Sequence, residues 1–144
     1  MIEPDTIKLL RECDAGIKMG VKCIDDVLSH VENSELLELL QTCRDRHEEL
    51  DRDLQQLLDQ YGDEGKDPGF MAEKMAAMKT NMKLKMDDGD STVADLMTDG
   101  CNMGVKSLSR YLNQYAAADE ASKDITKKLI KLESQLAVDL RDHL

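Results

Sequence analysis

The chain has 144 residues, a formal net charge of −11, one Phe, three Tyr and no Trp. So acidic a chain repels nucleic acid and anionic membrane surfaces, which both reward Lys and Arg, and we expect neither as a partner. Because aromatic residues are scarce, Leu, Met, Ile and Val must fill the core, which favours helices over strands. No apolar run approaches the ~20 residues of a transmembrane helix.

Two features of the sequence predict a cytoplasmic protein. The first residues, MIEPDTIKLL, lack the basic and apolar regions of a secretory signal peptide. The cysteines fall within helical patterns and show no Cys-x-x-Cys spacing, so we expect reduced thiols. There are four of them, Cys13, Cys23, Cys43 and Cys101.

The first predicted helix covers residues 5–31 and follows Pro4, whose missing N–H is not needed at a helix start. Its apolar residues alternate at spacings of three and four, as on a helix packed against partners. Asp14 interrupts this face. A position near a bundle end, where the carboxylate reaches water, is preferred over a buried acid with a raised pKa. Asn33 or Ser34 is expected to cap the second helix, which runs antiparallel to the first and completes a hairpin over residues 5–61.

A break rich in Gly and charged residues precedes a shorter helix predicted over residues 70–86. A stripe of thioethers on one face of this helix is a possible Cu(I) site. Met also fills irregular gaps and coats adaptable binding surfaces, and packing on the bundle or on a partner is the preferred interpretation. Residues 62–90 are therefore predicted to be a crossover segment. The stripe consists of Met71, Met75, Met78, Met82 and Met86.

The remaining residues, 91–144, predict a second hairpin. Its first helix, capped by Asp90 or Ser91, covers residues 91–117, and its second begins near residue 119. The whole chain, residues 1–144, is thus expected to form one all-helical domain.

An internal repeat relates the two hairpins. Residues 15–30 and 99–114 share six of sixteen positions without a gap, including the run MGVK. Each copy has Gly-x-x-x-Gly within a helix, where each glycine costs roughly 1 kcal/mol relative to Ala. We expect close backbone approach of the two helices to offset this cost, with room for a small-molecule ligand as the alternative. The glycines are Gly16, Gly20, Gly100 and Gly104.

Two repeated hairpins joined by a long crossover resemble the ferritin-like four-helix bundle. The glycine-led repeat is most similar to small bacterial ferritin-like proteins of uncharacterised function. Active members of that superfamily bind two metal ions through a Glu on each of two helices and a Glu-x-x-His on each of the other two. The resemblance would place the first two Glu directly after Gly16 and Gly100, where this sequence has Ile17 and Cys101.

The Glu-x-x-His motifs are incomplete as well. His47 suits the histidine of the second helix, but Arg44 stands three residues before it. Glu133 suits the glutamate of the last helix, but Leu136 stands three residues after it. Two of six ligands do not make a di-metal site, so we expect neither oxidase nor ferroxidase activity.

Two kinds of function remain open. A non-catalytic helical module that acts through contacts with a protein partner or as a homodimer, without a cofactor, is the leading hypothesis. The alternative is a metal- or redox-responsive protein in which iron, zinc or copper binds Cys23, Cys43, His47 and Glu133. Reflection across the first turn places Cys23 level with Cys43, and Cys101 joins them only if the third long helix reaches that layer. The preferred interpretation is structural: the cysteines are small core residues, and His47 is a core histidine with its hydrogen bonds satisfied.

Overall fold

Helices account for all the regular structure in the computed structural model, which describes residues 2–144 apart from the side chains of residues 70–72, 74, 75, 78 and 82. The all-helical prediction is confirmed for this part of the chain. No helix within it is both long enough and apolar enough to cross a membrane. The elements are α1 (Pro4–Leu28), α2 (Ser34–Gln60), α3 (Phe70–Met86), α4 (Asp90–Gln114), α5 (Glu120–Asp139) and a short 3₁₀ helix (Leu140–His143).

Contacts between helix ends establish the directions of the helices. The backbone N–H of Asp119, at the start of α5, donates to Thr6 Oγ1 at 2.9 Å, next to the start of α1. The Tyr61 hydroxyl, at the end of α2, donates to the Asp119 carboxylate. At the opposite end, His30 Nδ1 lies 2.8 Å from Asp88 Oδ1. Helices α1 and α5 therefore run one way, α2 and α4 run the other way, and α3 lies within the long connection between α2 and α4.

Four helices share an interior that consists of two apolar clusters. The cluster near the α1–α2 turn includes Ile24, Leu36 and Leu136. The cluster at the other end includes Leu54 and Leu129. Helices α1, α2, α4 and α5 contribute to both, and we call them the four-helix core. Between the two clusters the interior changes from apolar to polar.

Helix α3 is docked along part of its length. Leu84 is buried in the first apolar cluster, and Lys83 Nζ lies 3.1 Å from Asp95 Oδ2 on α4. Met86 is 84% exposed, so it does not pack on the four-helix core. The other four members of the predicted Met stripe lie outside the described side chains.

Two polar residues, Asn33 and Asp90, bind backbone groups at the turn between α1 and α2. Asn33 Oδ1 accepts from the Leu36 N–H at 3.0 Å, which confirms the predicted cap of α2. Asp90, expected to cap the next helix, does not; Gly89 takes the N-cap position of α4. The Asp90 carboxylate accepts instead from the backbone N–H groups of Glu32 and Asn33 at 2.8 and 3.1 Å. Helix α1 ends at Leu28, three residues before the predicted end, where the N–H groups of His30 and Val31 bond to carbonyls three residues back instead of four.

Helix α4 also ends early, at Gln114 rather than at residue 117. The N–H of Ala117 donates to Asp5 Oδ2 at 3.1 Å, next to the bond between Asp119 and Thr6. Contacts with the start of α1 therefore satisfy backbone groups that a longer helix would have used.

Candidate functional site

A polar pair, His47 on α2 and Glu133 on α5, lies between the two apolar clusters. The two residues hold the same position in their helices, fourteen residues after the N-caps Asn33 and Asp119. His47 is 2% exposed and Glu133 is 8% exposed. Buried ionisable groups are rare in proteins unless they are paired, so this pair is the main candidate for a functional site.

The histidine ring has a fixed orientation. Its Nδ1 lies 2.8 Å from the carbonyl oxygen of Cys43, one turn earlier in α2. A carbonyl only accepts, so Nδ1 carries the hydrogen and Nε2 faces α5. Nε2 lies 3.7 Å from Glu133 Oε1. Among the described residues, neither His47 Nε2 nor Glu133 Oε2 has a hydrogen-bond partner.

Two of the four helical glycines face this pair. A Cβ at Gly20 would lie 2.8 Å from His47 Nε2, which is closer than real Cβ contacts allow. A Cβ at Gly104 would overlap Glu133 Oε2. At these two positions the missing side chain makes room for a polar side chain of the protein itself, which neither sequence interpretation anticipated. At Gly16, by contrast, a Cβ would meet only Leu methyl groups at ordinary distances.

The charge of His47 depends on its neighbours. Burial lowers the pKa of His47, but the side chains of Cys43 and Glu133 raise it, with a net pKa of about 10. Among the described ion pairs, Glu133 has no cationic partner other than His47. Cys43 and the carboxylate of Glu133 together favour the imidazolium in an interior that otherwise disfavours charge.

Three cysteines lie in one layer beside the pair. Cys43 and Cys101 are buried in the first apolar cluster, and Cys23 packs against it partly buried. Helix α4 contributes Cys101 to the same apolar cluster. Burial, and then the charge of Glu133, raise the pKa of Cys101 to about 12, and burial also raises the pKa of Cys23. Both thiols therefore stay protonated at neutral pH, and the thiolate is the form that attacks electrophiles and binds metals.

The residues do not provide the donor set of a di-metal centre. Within the described part of the chain, no three His, Cys, Asp or Glu side chains are grouped as metal ligands. Arg44 points to the outside, where it pairs with Asp25 and Glu48. Leu136, at the position expected for a histidine, is a buried core residue. Of the four predicted ligands, His47 and Glu133 face each other at 3.7 Å, and each has a buried polar atom without a hydrogen-bond partner among the described residues.

Asp14 is fully buried, so the preferred prediction that it reaches water is wrong. Its carboxylate accepts from Gln55 Nε2 at 3.0 Å, from the Lys66 N–H at 2.9 Å and from Lys18 Nζ at 3.0 Å. The segment 62–69, which the sequence marks only as a break, lies over α1 and supplies one of these donors. Asp14 therefore attaches the crossover segment to the four-helix core.

Two open grooves lie on the outside of the four-helix core. One, of about 460 Å³ between α1 and α2, is lined by Val21, Lys22, Asp26 and Glu48, among others. The other, of about 380 Å³ between α2 and α5, has a lining that includes Lys131. Their linings mix acids, Lys and aliphatic groups, without the few convergent polar groups typical of a small-molecule site.

Comparison with protein-family models finds no match to the chain, and neither do the comparisons with curated proteins and with solved structures.

Proposed function

We propose that the chain is a non-catalytic helical bundle of ferritin-like type, with a degenerate di-metal site, which acts through contacts with another protein chain. One observation carries this proposal. At the centre of the four-helix core, where such bundles hold their metals, His47 and Glu133 fill the space facing Gly20 and Gly104. A filled centre with two candidate ligands cannot receive both a substrate and two metal ions.

The order and directions of the helices support a ferritin-like origin. Ferritin-like bundles have one long crossover between two hairpins, and here the connection that contains α3 joins α2 to α4. The MGVK runs fall within α1 and α4, the first helix of each hairpin. His47 and Glu133 hold equivalent places in the second helices. Duplication of one hairpin accounts for all three features.

Exposed methionines on neighbouring helices support a role in association. Met86 at the end of α3 and Met103 on α4 are 84% and 71% exposed, more than any other large apolar side chain described. Flexible thioether side chains suit protein contacts. A second copy of the chain is the first partner to test, because twofold dimers are the commonest assemblies.

Light scattering coupled to size-exclusion chromatography, across a wide range of protein concentration, tests this proposal. We expect the mass to rise from monomer to dimer and Met103→Glu to weaken the dimer by about tenfold or more, because burial of a Met side chain contributes ~1.5–3 kcal/mol. Val138→Glu is the matched control, since it adds the same charge at another exposed apolar position, on α5. A monomer at every concentration would remove the dimer from the proposal, and equal weakening by both variants would remove the contact at Met103.

The alternative, a metal- or redox-responsive protein, predicts a different result. Metal would then stabilise the fold, because a ligand that binds only the folded state shifts unfolding. Replacing Cys23 and Cys43 by Ser would abolish that stabilisation. The proposed bundle predicts no response to metal in either form.

A further inference from the structure

The His47–Glu133 pair is the only described ionic contact in which both side chains are buried, and every helix of the four-helix core borders it. Helix α2 supplies His47 together with the Cys43 carbonyl that orients its ring. Helix α5 supplies Glu133. Helices α1 and α4 supply Gly20 and Gly104, whose missing side chains leave the space that the polar groups occupy.

We propose that this pair is a metal-independent lock between α2 and α5, and that Gly20 and Gly104 are retained in their helices to admit it. The proposal explains a cost that the sequence leaves open. A glycine inside a helix loses roughly 1 kcal/mol relative to Ala, yet the run MGVK places one in each of α1 and α4. An alanine at either position would collide with the pair.

The pair can also hold facing helices together, as a metal ion at this position would. A metal ion would hold facing helices together by binding side chains from both. Here the opposite charges of His47 and Glu133 attract each other across 3.7 Å between the same two helices. Among the described ion pairs, neither His47 nor Glu133 has another partner of opposite charge. This inference does not depend on the proposed dimer.

The first test uses Gly104→Ala in two backgrounds, with denaturant unfolding as the measurement. In the otherwise unchanged protein we expect the folding equilibrium constant to fall about tenfold or more, because the new Cβ overlaps Glu133 Oε2. In a Glu133→Ala background the obstacle is gone. There the same substitution should raise the constant by about fivefold, which is the helix preference for Ala over Gly.

Gly16→Ala is the matched control, since its Cβ would lie 3.8 Å from Leu108 and Leu129 methyl groups. It should stabilise the fold in both backgrounds. If Gly104→Ala had an effect of the same sign and size in both backgrounds, Gly104 would not be needed to make room for Glu133.

The second test measures the coupling between the two charged groups. His47→Gln and Glu133→Gln are each expected to lower the folding equilibrium constant by about a hundredfold or more, because each leaves an uncompensated buried group. The double variant should be more stable than the product of the two single effects predicts. Additive losses would show that the two side chains do not act as a lock.

The unmodified protein provides a measurement that does not require any variant to fold. Its unfolding midpoint should be the same with chelator and with added Zn²⁺ or Fe²⁺. A midpoint that rises with metal in the unmodified protein, and not in Glu133→Gln, would replace the lock by a metal site.

Discussion

Replacement of Gly65 by Ala tests how the crossover segment is attached to the four-helix core. Gly65 has φ +80°, a left-handed conformation that L side chains rarely adopt. A Cβ there would overlap Asp14 Oδ2 and come within 3.2 Å of Leu58 Cδ1. Because Asp14 is fully buried, its carboxylate cannot move away without losing a hydrogen bond.

Two contributions set the expected loss of stability. The left-handed backbone costs an Ala roughly 1–2 kcal/mol. Displacement of Asp14 breaks the bond from the Lys66 N–H, and a hydrogen bond to a charged group contributes about 1.5–3 kcal/mol. Gly65→Ala should therefore destabilise the fold by about 2.5–5 kcal/mol. Gly62 has φ +68° with no described atom within 4 Å of a Cβ, so Gly62→Ala should lose only the backbone contribution.

Urea unfolding followed by circular dichroism measures both variants against the unmodified protein. The expected difference between them is about 2 kcal/mol, with Gly65→Ala the less stable. Equal losses would show that Asp14 does not depend on the close approach of Gly65, and the role assigned to the segment 62–69 would fail.

Three further predictions concern other described contacts. The pKa of His47 is raised in the folded state to about 10. The stability that the protonated His47 contributes is therefore fully present below the ordinary pKa of 6.5 and is lost as pH rises through about 10. Unfolding curves measured across a pH series should show this loss in the unmodified protein and not in His47→Gln. Cys23 is partly exposed whereas Cys43 and Cys101 are buried, so mass spectrometry after brief alkylation of the folded protein should find Cys23 modified before either of them. Tyr61→Phe removes the hydroxyl that donates to the Asp119 carboxylate and should cost about 0.5–1.5 kcal/mol in denaturant unfolding, with faster amide exchange at the start of α5 as the local sign.

Local chemistry made the helices predictable. Alternating apolar spacings and the cap at Asn33 are properties of neighbouring residues, and the structure has helices where those patterns place them. The role of Asp90 was predicted wrongly because it depends on hydrogen bonds between segments more than fifty residues apart. Asp14 was misplaced for the same reason, since nothing in its own helix shows that the segment 62–69 covers it.

The candidate site was predictable only in part. His47 and Glu133 both drew attention in the sequence, but their pairing required knowing that α2 and α5 pack side by side. One sequence signal does relate them, because each lies fourteen residues after a side chain that caps its helix, Asn33 or Asp119. Only the packing shows which glycines matter. Gly20 and Gly104 face the pair, while Gly16 has ordinary apolar neighbours.

Elemental analysis of protein purified without an affinity tag or chelator, in air and again without oxygen, tests the central claim most directly. We expect folded protein with far less than one equivalent of iron, zinc or copper in both preparations. Near-stoichiometric metal that is lost in His47→Gln would contradict it, because the centre of the four-helix core would then hold a metal rather than a His47–Glu133 pair.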